Sequence, residues 1–303
     1  MTFYQSYNVT SFIGLLVLIL NSSVFTGLTS AAPRDLLVSS VQTDSILRYD
    51  GENGAFEGTF TQGGRLDDPL SLALGPQDNL FVGERGYILK YDVGGSGSSI
   101  GQLFLGPDAT ASMPSDLNFG PGGDLYYADT TRHRWDRVDG QTGTYKASSK
   151  GKGFPPDDTF SRQEPWGVAF GPNDDVFVTF GYLEQDVMRF AADGTFKAQF
   201  TPEGPIGRLD KARDLAFGPR GDLFVVSQGT NEILRFDGPK NAFAEGAFID
   251  VFIADNNLNE PHGLMFGPDD DLFIANRGAD EILRYDGSDG DFKGVFASGG
   301  GLD

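Results

Sequence analysis

The stretch Pro261-His-Gly-Leu-Met-Phe-Gly267-Pro, followed by Asp271-Leu-Phe-Ile-Ala-Asn276, decides the fold of this 303-residue chain. Both runs are short and apolar, and the Gly-Pro turn between them is typical of two antiparallel strands. The first pattern recurs with its glycine at intervals of 45 to 51 residues, in Pro69-Leu-Ser-Leu-Ala-Leu-Gly75, Pro114-Ser-Asp-Leu-Asn-Phe-Gly120, Pro165-Trp-Gly-Val-Ala-Phe-Gly171 and Ala212-Arg-Asp-Leu-Ala-Phe-Gly218. This period indicates an array of similar units.

Each repeat contains four candidate strands. The two strands above are followed by a third, such as Glu281-Ile-Leu-Arg-Tyr-Asp286, and by a Phe-containing strand after a Gly-rich turn. A four-stranded sheet cannot cover both of its faces alone, and radial stacking of several such sheets covers them. The sequence therefore predicts an all-β fold, a six-bladed β-propeller of four-stranded antiparallel blades over residues 33–303. Its repeats start near residues 33, 69, 114, 165, 212 and 261.

The two ends of the chain are copies of each other. Residues 35–67 align without a gap with residues 271–303, so the first blade begins at its second strand. The sequence stops where the inner strand would follow, so we expect a first blade that lacks its inner strand. The alternatives are that the sequence is truncated or that the blade keeps an exposed inner edge. The segment Val24–Ala31 has the length to act as a surrogate strand there.

Residues 1–32 differ from the rest of the chain. The apolar run Phe12–Leu20 is too short to span a bilayer, and Ser30-Ala31-Ala32 fits the small-residue rule for cleavage. We therefore predict a signal peptide over residues 1–32 and a secreted or periplasmic mature protein without membrane contact. The absence of Lys and Arg before the apolar run leaves an uncleaved anchor as the alternative.

The charge balance restricts the partners. The chain has 43 acidic and 23 basic residues, a formal net charge of −20. Such a surface repels phosphate backbones and anionic lipids, which argues against nucleic acid and membrane partners. We expect a monomer that binds a protein or glycan ligand.

One basic residue recurs in every third strand. The hairpin spacing predicts that these residues form ion pairs inside the blades, namely Arg48 with Asp35, Arg137 with Asp124, Arg235 with Asp222 and Arg284 with Asp271. Lys90 and Arg189 hold the same position in the other two repeats. A feature present in every repeat indicates scaffold structure.

Two rings of side chains should converge around the central channel. The starts of the inner strands give Leu70, Ser115, Trp166, Arg213 and His262, and the ends of the second strands give Ser40, Glu84, Asp129, Phe180, Ser227 and Asn276. These positions vary between repeats, as expected for a face adapted to a ligand. The predicted ligand-binding face consists of Glu84, Asp129, Trp166, Arg213, His262 and Asn276.

The Pro-x-Gly-Leu-x-Phe-Gly-Pro and Asp-Leu-Phe-Val patterns resemble NHL-repeat proteins and the related gluconolactonase-like and streptogramin-lyase-like propellers. The gluconolactonase resemblance implies a divalent cation held by Glu, Asn and Asp. Here hydroxyl, indole, guanidinium and imidazole groups replace the expected oxygen ligands at the inner-strand starts. We predict no metal or other cofactor; the alternative is Ca²⁺ or Mg²⁺ at Glu84 and Asp129, which are few ligands for Ca²⁺.

The streptogramin-lyase resemblance rests on Glu260-Pro-His-Gly263. It implies that His262 is a general base, with Glu260 beside it as the second candidate catalytic residue. The chain departs from that family at Arg213, where a second His is expected, and at Asn276, where Glu is expected.

The leading hypothesis is therefore an exported binding or scaffold propeller without enzymatic activity. The alternative is a lyase or lactonase that depends on a divalent metal ion.

Overall fold

A computed structural model describes residues 35–62, 66–75, 79–93, 97–104, 112–149, 164–171, 174–181, 186–202, 209–239, 245–267 and 269–302. It confirms an all-β fold of six antiparallel sheets. The predicted signal peptide, the boundary at residue 33 and the segment Val24–Ala31 lie outside these residues. Within them, no helix is long and apolar enough to cross a membrane.

In each of the first three blades, the strands follow one another along the chain from the channel outwards. Blade 1 has three strands in the described residues, as predicted, and blades 2 and 3 have four. The strands are β1 (Asp35–Ser40), β2 (Ser45–Asp50) and β3 (Phe56–Gln62); β4 (Ser71–Leu74), β5 (Asn79–Glu84), β6 (Tyr87–Asp92) and β7 (Ser99–Phe104); and β8 (Pro114–Phe119), β9 (Asp124–Asp129), β10 (Arg134–Asp139) and β11 (Tyr145–Ser148).

Blades 4 to 6 repeat the four-stranded arrangement. The strands are β12 (Pro165–Phe170), β13 (Val176–Phe180), β14 (Val187–Phe190) and β15 (Phe196–Gln199); β16 (Ala212–Phe217), β17 (Leu223–Ser227), β18 (Glu232–Phe236) and β19 (Phe248–Ile253); and β20 (Pro261–Phe266), β21 (Leu272–Asn276), β22 (Glu281–Tyr285) and β23 (Phe292–Ser298). The inner strands β4, β8, β12, β16 and β20 pack side by side in chain order, which brings their starting residues together at one end of the channel.

The glycine that ends each inner strand makes room for an aromatic ring. A Cβ atom at Gly171 would lie 2.5 Å from the ring of Phe177, and one at Gly218 would lie 2.6 Å from the ring of Phe224. These rings sit between neighbouring blades, where they meet an aromatic residue of the next inner strand edge to face. The inter-blade pairs are Phe81–Phe119, Tyr126–Phe170, Phe177–Phe217 and Phe224–Phe266.

The ion pairs of the third strands follow the prediction in three blades. Arg284 lies 2.5 Å from Asp271, Arg137 lies 2.5 Å from Asp124, and Arg48 pairs with Asp35. The prediction for Arg235 is wrong, because its guanidinium binds Asp250 of the outer strand at 2.5 Å instead of Asp222.

The register of the paired strands does not place the two partners of an ion pair directly opposite each other. Arg284 stands opposite Phe273, so its carboxylate partner is the diagonal neighbour two residues away. A long guanidinium side chain reaches this diagonal position easily.

The C-terminal segment docks on blade 1. Leu302 is 7% exposed and packs in one apolar cluster with residues of blades 1 and 6. The hydroxyl of Tyr49 donates to the carbonyl of Gly299 at 2.7 Å, and the hydroxyl of Ser40 donates to the carbonyl of Gly301 at 2.9 Å. Blade 6 is therefore fastened to blade 1 by this segment.

Replacement of Leu302 by alanine should lower the free energy of unfolding by about 2 kcal/mol, because it opens a cavity between blades 1 and 6. The melting temperature should fall by about 4 °C or more. The matched control is Val295→Thr, since Val295 is 49% exposed and threonine keeps the branched side chain. Equal melting temperatures for the two variants would contradict the docking.

Candidate functional site

The starts of the five described inner strands surround a small pocket at one end of the channel. The structure brings together all five residues that the sequence placed on this ring: Leu70, Ser115, Trp166, Arg213 and His262. Ser71, Asp116, Asp214 and Gly263, from the next position of four of these strands, complete the lining. The pocket is therefore built from consecutive residues of five different blades.

Trp166, Arg213 and His262 form one stacked group in this pocket. The guanidinium carbon of Arg213 lies 3.8 Å from the centre of the Trp166 ring, and the His262 ring meets that indole edge to face with 5.7 Å between centroids. Trp166 is 8% exposed. The indole is thus covered by its neighbours, and Arg213 is positioned by stacking on it.

The positive charge of Arg213 feels the carboxylates of Glu164 and Glu260, but neither forms an ion pair with it. Its Nε donates to the side-chain oxygen of Gln228 at 2.9 Å, and it forms no ion pair with any described residue. Burial lowers the pKa of Arg213 to about 10. The amide nitrogen of Gln228, whose orientation is fixed by that hydrogen bond, has no acceptor in the described part of the chain. Both groups are donors that suit an acidic ligand.

His262 is held in its neutral form. Burial lowers the pKa of its imidazole well below the usual value, and the charges of Arg213 and Arg277 lower it further. A neutral imidazole can accept a proton, but the nearby cations make it a weak base. Glu260, the second candidate catalytic residue, does not line the pocket; it is largely exposed and lies 3.4 Å from Arg277.

Two partly buried carboxyl groups were missed by the sequence reasoning. Asp116 accepts hydrogen bonds from the backbone N–H groups of Leu117 and of Val168 in the next blade, at 2.8 and 2.7 Å. Asp214 does the same with Leu215 and Leu264, at 2.7 and 2.9 Å. Aspartate at a position where two other repeats have glycine was the available signal.

These two carboxyl groups resist ionisation. Burial raises the pKa of both, and the charge of Asp214 raises that of Asp116 further. Because each carboxyl already accepts two backbone hydrogen bonds, the pair offers few free lone pairs to a metal ion. Asp116 and Asp214 are therefore better suited to joining inner strands than to holding a cation.

The ends of the second strands do not line the pocket. Glu84, Asp129 and Asn276 are fully buried and bind the loops that cross from one blade to the next. Asn276 accepts from the backbone N–H of Asn259 at 2.6 Å, and Asp129 accepts from Met113 at 3.2 Å. These three residues lie beneath the loops, and their part in the predicted ligand-binding face stays a prediction.

The comparisons with known proteins concern the fold. No family model and no curated protein sequence matches the chain. The virginiamycin B lyase of Staphylococcus aureus has a TM-score of 0.61 at 16% identity, over 84% of this chain and 78% of the lyase. A streptogramin B lyase structure has a TM-score of 0.59 at 17% identity, over 85% of this chain and 76% of that one. The chain shares its fold with these lyases.

A protein of unknown function from Bacteroides caccae is also similar, with a TM-score of 0.63 at 13% identity, over 88% of this chain and 94% of that protein. Identities this low show the fold alone. The resemblance to NHL-repeat and gluconolactonase-like proteins stays a prediction.

The partly buried carboxyl pair should make stability depend on pH. The folded-state pKa of Asp214 is raised to about 7, so the folded protein holds a proton that the unfolded chain releases. The stability that this proton gives is present below about pH 4 and is lost as the pH rises through about 7. Between about pH 5 and pH 8, we expect the melting temperature to fall by about 3 °C or more.

The variant Asp214→Asn should flatten this pH profile. The control is Asp280→Asn, at an exposed turn position whose φ of 53° asparagine tolerates. This variant should show the same pH dependence of the melting temperature as the unaltered protein. An unchanged slope in Asp214→Asn would show that another group causes the dependence.

Proposed function

We propose that the protein is an exported binding propeller that receives an acidic group of a protein or glycan ligand at the channel pocket. The observation that carries this proposal is Arg213, a stacked and largely buried guanidinium that forms no ion pair with a described residue. A desolvated charge of this kind is costly unless a ligand compensates it.

The arrangement of the pocket supports an acidic ligand over a neutral sugar. A neutral sugar ring would need an open aromatic face for stacking, but Arg213 covers the face of Trp166 and His262 meets its edge. The planar fork of Arg213 is instead suited to two parallel hydrogen bonds to a carboxylate. The pocket encloses only about 20 Å³, so it accepts the oxygen atoms of one acidic group, and the rest of the ligand lies outside it.

The repeated basic residues provide a comparison within the chain. Arg137, Arg189 and Arg284 occupy the third strands, and each has an aspartate within 2.6 Å. These charges are compensated inside their own blades and belong to the scaffold. Arg213 lies on an inner strand, at a position that differs in every repeat, and it lacks such a partner among the described residues.

The binding test compares a ligand with its uncharged ester. Isothermal titration with an oligogalacturonate and with its methyl ester should give binding about tenfold or more tighter for the free acid, because only the acid completes the Arg213 ion pair. Arg213→Gln should abolish the difference.

The matched control for this test is Arg220→Gln, which removes an exposed charge in the Gly-Pro turn after β16, outside the pocket. It should keep the preference for the acid. A preference that is the same in Arg213→Gln, or an ester that binds as tightly as the acid in the unaltered protein, would contradict the proposal. Acidic peptides and their amides give the same comparison for a protein ligand.

A lyase or lactonase is the second candidate function. It is favoured by the neutral His262 in the pocket and by the fold shared with streptogramin B lyases. Arg213 disfavours it, since this cation stands where the family resemblance requires a second His and it lowers the basicity of His262.

Turnover of a streptogramin B separates the two candidates. We expect no ring opening by the purified protein with Mg²⁺ or Ca²⁺ present, measured by mass spectrometry of the antibiotic. Ring opening that His262→Ala abolishes would replace the binding proposal with the lyase. The control His133→Ala removes the other histidine, which is exposed in a loop of blade 3.

A further inference from the structure

A second cluster of charged groups lies outside the pocket, at the junction of blades 1 and 2. Asp44 belongs to the turn between β1 and β2, and Asp67 and Asp68 belong to the loop that crosses to β4. One carboxylate oxygen of each lies within 4.8 Å of the others. Glu84, at the end of β5, lies directly beneath this loop, because its Oε2 accepts from the backbone N–H of Asp67 at 3.2 Å.

One oxygen of Glu84 has no partner among the described residues. The side chain is fully buried, and its Oε1 forms no hydrogen bond with them. In blade 6 the equivalent residue, Asn276, uses both polar atoms, with Asn259 N–H at 2.6 Å and the Asn257 carbonyl at 2.9 Å. A buried carboxylate oxygen with no donor needs an explanation, and a bound cation supplies one.

The junction of blades 5 and 6 has the same backbone with different charges. There Asn231 accepts from the N–H of Glu260 at 2.8 Å, just as Asp44 accepts from the N–H of Asp68 at 3.0 Å. All four of these residues have left-handed backbone, with φ between 47° and 55°. The equivalent positions at the two junctions are Asp44 and Asn231, Asp67 and Asn259, Asp68 and Glu260, and Glu84 and Asn276.

Three amides at one junction are therefore carboxylates at the other. The single acid of the junction of blades 5 and 6, Glu260, has Arg277 at 3.4 Å. Of the four acids at the junction of blades 1 and 2, only Asp68 has a cationic partner in the described residues, Arg85 at 3.7 Å. Asp44, Asp67 and Glu84 have no cationic partner among the described residues, although the backbone needs none of these acids, as the other junction demonstrates.

We propose that Asp44, Asp67, Asp68 and Glu84 form a Ca²⁺ site that joins blade 1 to blade 2. Four carboxylates from three segments supply six oxygen atoms beyond the two that accept from the backbone N–H groups of Asp67 and Asp68. Ca²⁺ takes 6–8 oxygen ligands in flexible geometry. Mg²⁺ requires a near-ideal octahedron, keeps its waters and generally binds through one or two carboxylates, so it fits this cluster less well. The ion would bind the unpartnered oxygen of Glu84.

The site has a structural role in this arrangement. Its ligands come from the turn of the three-stranded blade 1 and from both the crossover loop and the second strand of blade 2. Binding of Ca²⁺ therefore holds blade 1 against its neighbour at the face of the propeller that carries the channel pocket.

The test measures Ca²⁺ binding to the chelator-treated full chain. Titration calorimetry with CaCl₂ and thermal unfolding with about 1 mM Ca²⁺ should show one site and a higher melting temperature, because the ion binds only the folded state. Mg²⁺ should bind about tenfold or more weakly. The variant Asp44→Asn/Asp67→Asn/Glu84→Gln gives this junction the amide groups found at the junction of blades 5 and 6. The affinity of this variant for Ca²⁺ should be about 100-fold lower than that of the unaltered protein.

The controls separate this site from a general effect of charge or folding. Asp289→Asn, at an exposed turn, and Arg213→Gln, in the channel pocket, should bind Ca²⁺ like the unaltered protein. Without Ca²⁺ the triple variant should melt no lower than the unaltered protein, since it removes three acids that lie close together. The single variant Asp67→Asn, at an exposed position, should already weaken binding.

Three results would overturn the proposal. They are the absence of a Ca²⁺ response in the unaltered protein at about 5 mM, an equal response in the triple variant, and Mg²⁺ binding as tight as that of Ca²⁺. A triple variant that melts lower than the ion-free protein would count against it as well, because the acids would then stabilise the fold by themselves. None of these results depends on what the channel pocket binds.

Discussion

The structure depends on the edge-to-face contact between an aromatic ring of one blade and an aromatic ring of the next. The ring of Phe177 fills the space above Gly171 and meets Phe217 with 5.0 Å between centroids, and Phe224 meets Phe266 at the same distance. Any side chain in place of such a glycine would push the ring out of the blade interface. The contact recurs at four junctions and sets one spacing between neighbouring sheets, so the ends of the inner strands are free to vary.

Because the residues that build the blades repeat and those at the inner-strand starts vary, the fold could be predicted from the sequence and the site only in part. Blade-building residues repeat along the chain, so their periodicity reveals strands, turns and the three-stranded first blade without any knowledge of packing. The inner-strand starts were predictable for the same reason, because topology alone brings Trp166, Arg213 and His262 to one end of the channel. The chemistry of these three residues depends on the distances between their side chains, which a sequence pattern does not contain.

The failures of the sequence reasoning each have a physical cause. Arg235 binds Asp250 because the outer strand of blade 5 places a carboxylate beside its guanidinium. The prediction considered only the hairpin of the second and third strands and therefore missed this partner. The repeat pattern also did not reveal that the crossover loops find partners for their backbone N–H groups in Glu84, Asp129 and Asn276. Asp116 and Asp214 are absent from the predicted site because a repeated scaffold does not reveal which aspartates become partly buried.

Charge compensation distinguishes the scaffold of this protein from the positions adapted to ligands. With a net charge of −20 the chain has more acids than bases to pair with them, so an arginine without an ion pair is conspicuous. Most basic groups of the third strands have carboxylates within hydrogen-bond distance. Arg213 instead stacks on Trp166 and, within the described part of the chain, donates only to the amide of Gln228. At the junction of blades 1 and 2 the situation is reversed, since three carboxylates lack a described cation where the equivalent junction has amides. Both departures are costly in the isolated protein and become favourable once an ion of the opposite sign binds, an anionic group at the pocket and Ca²⁺ at the junction.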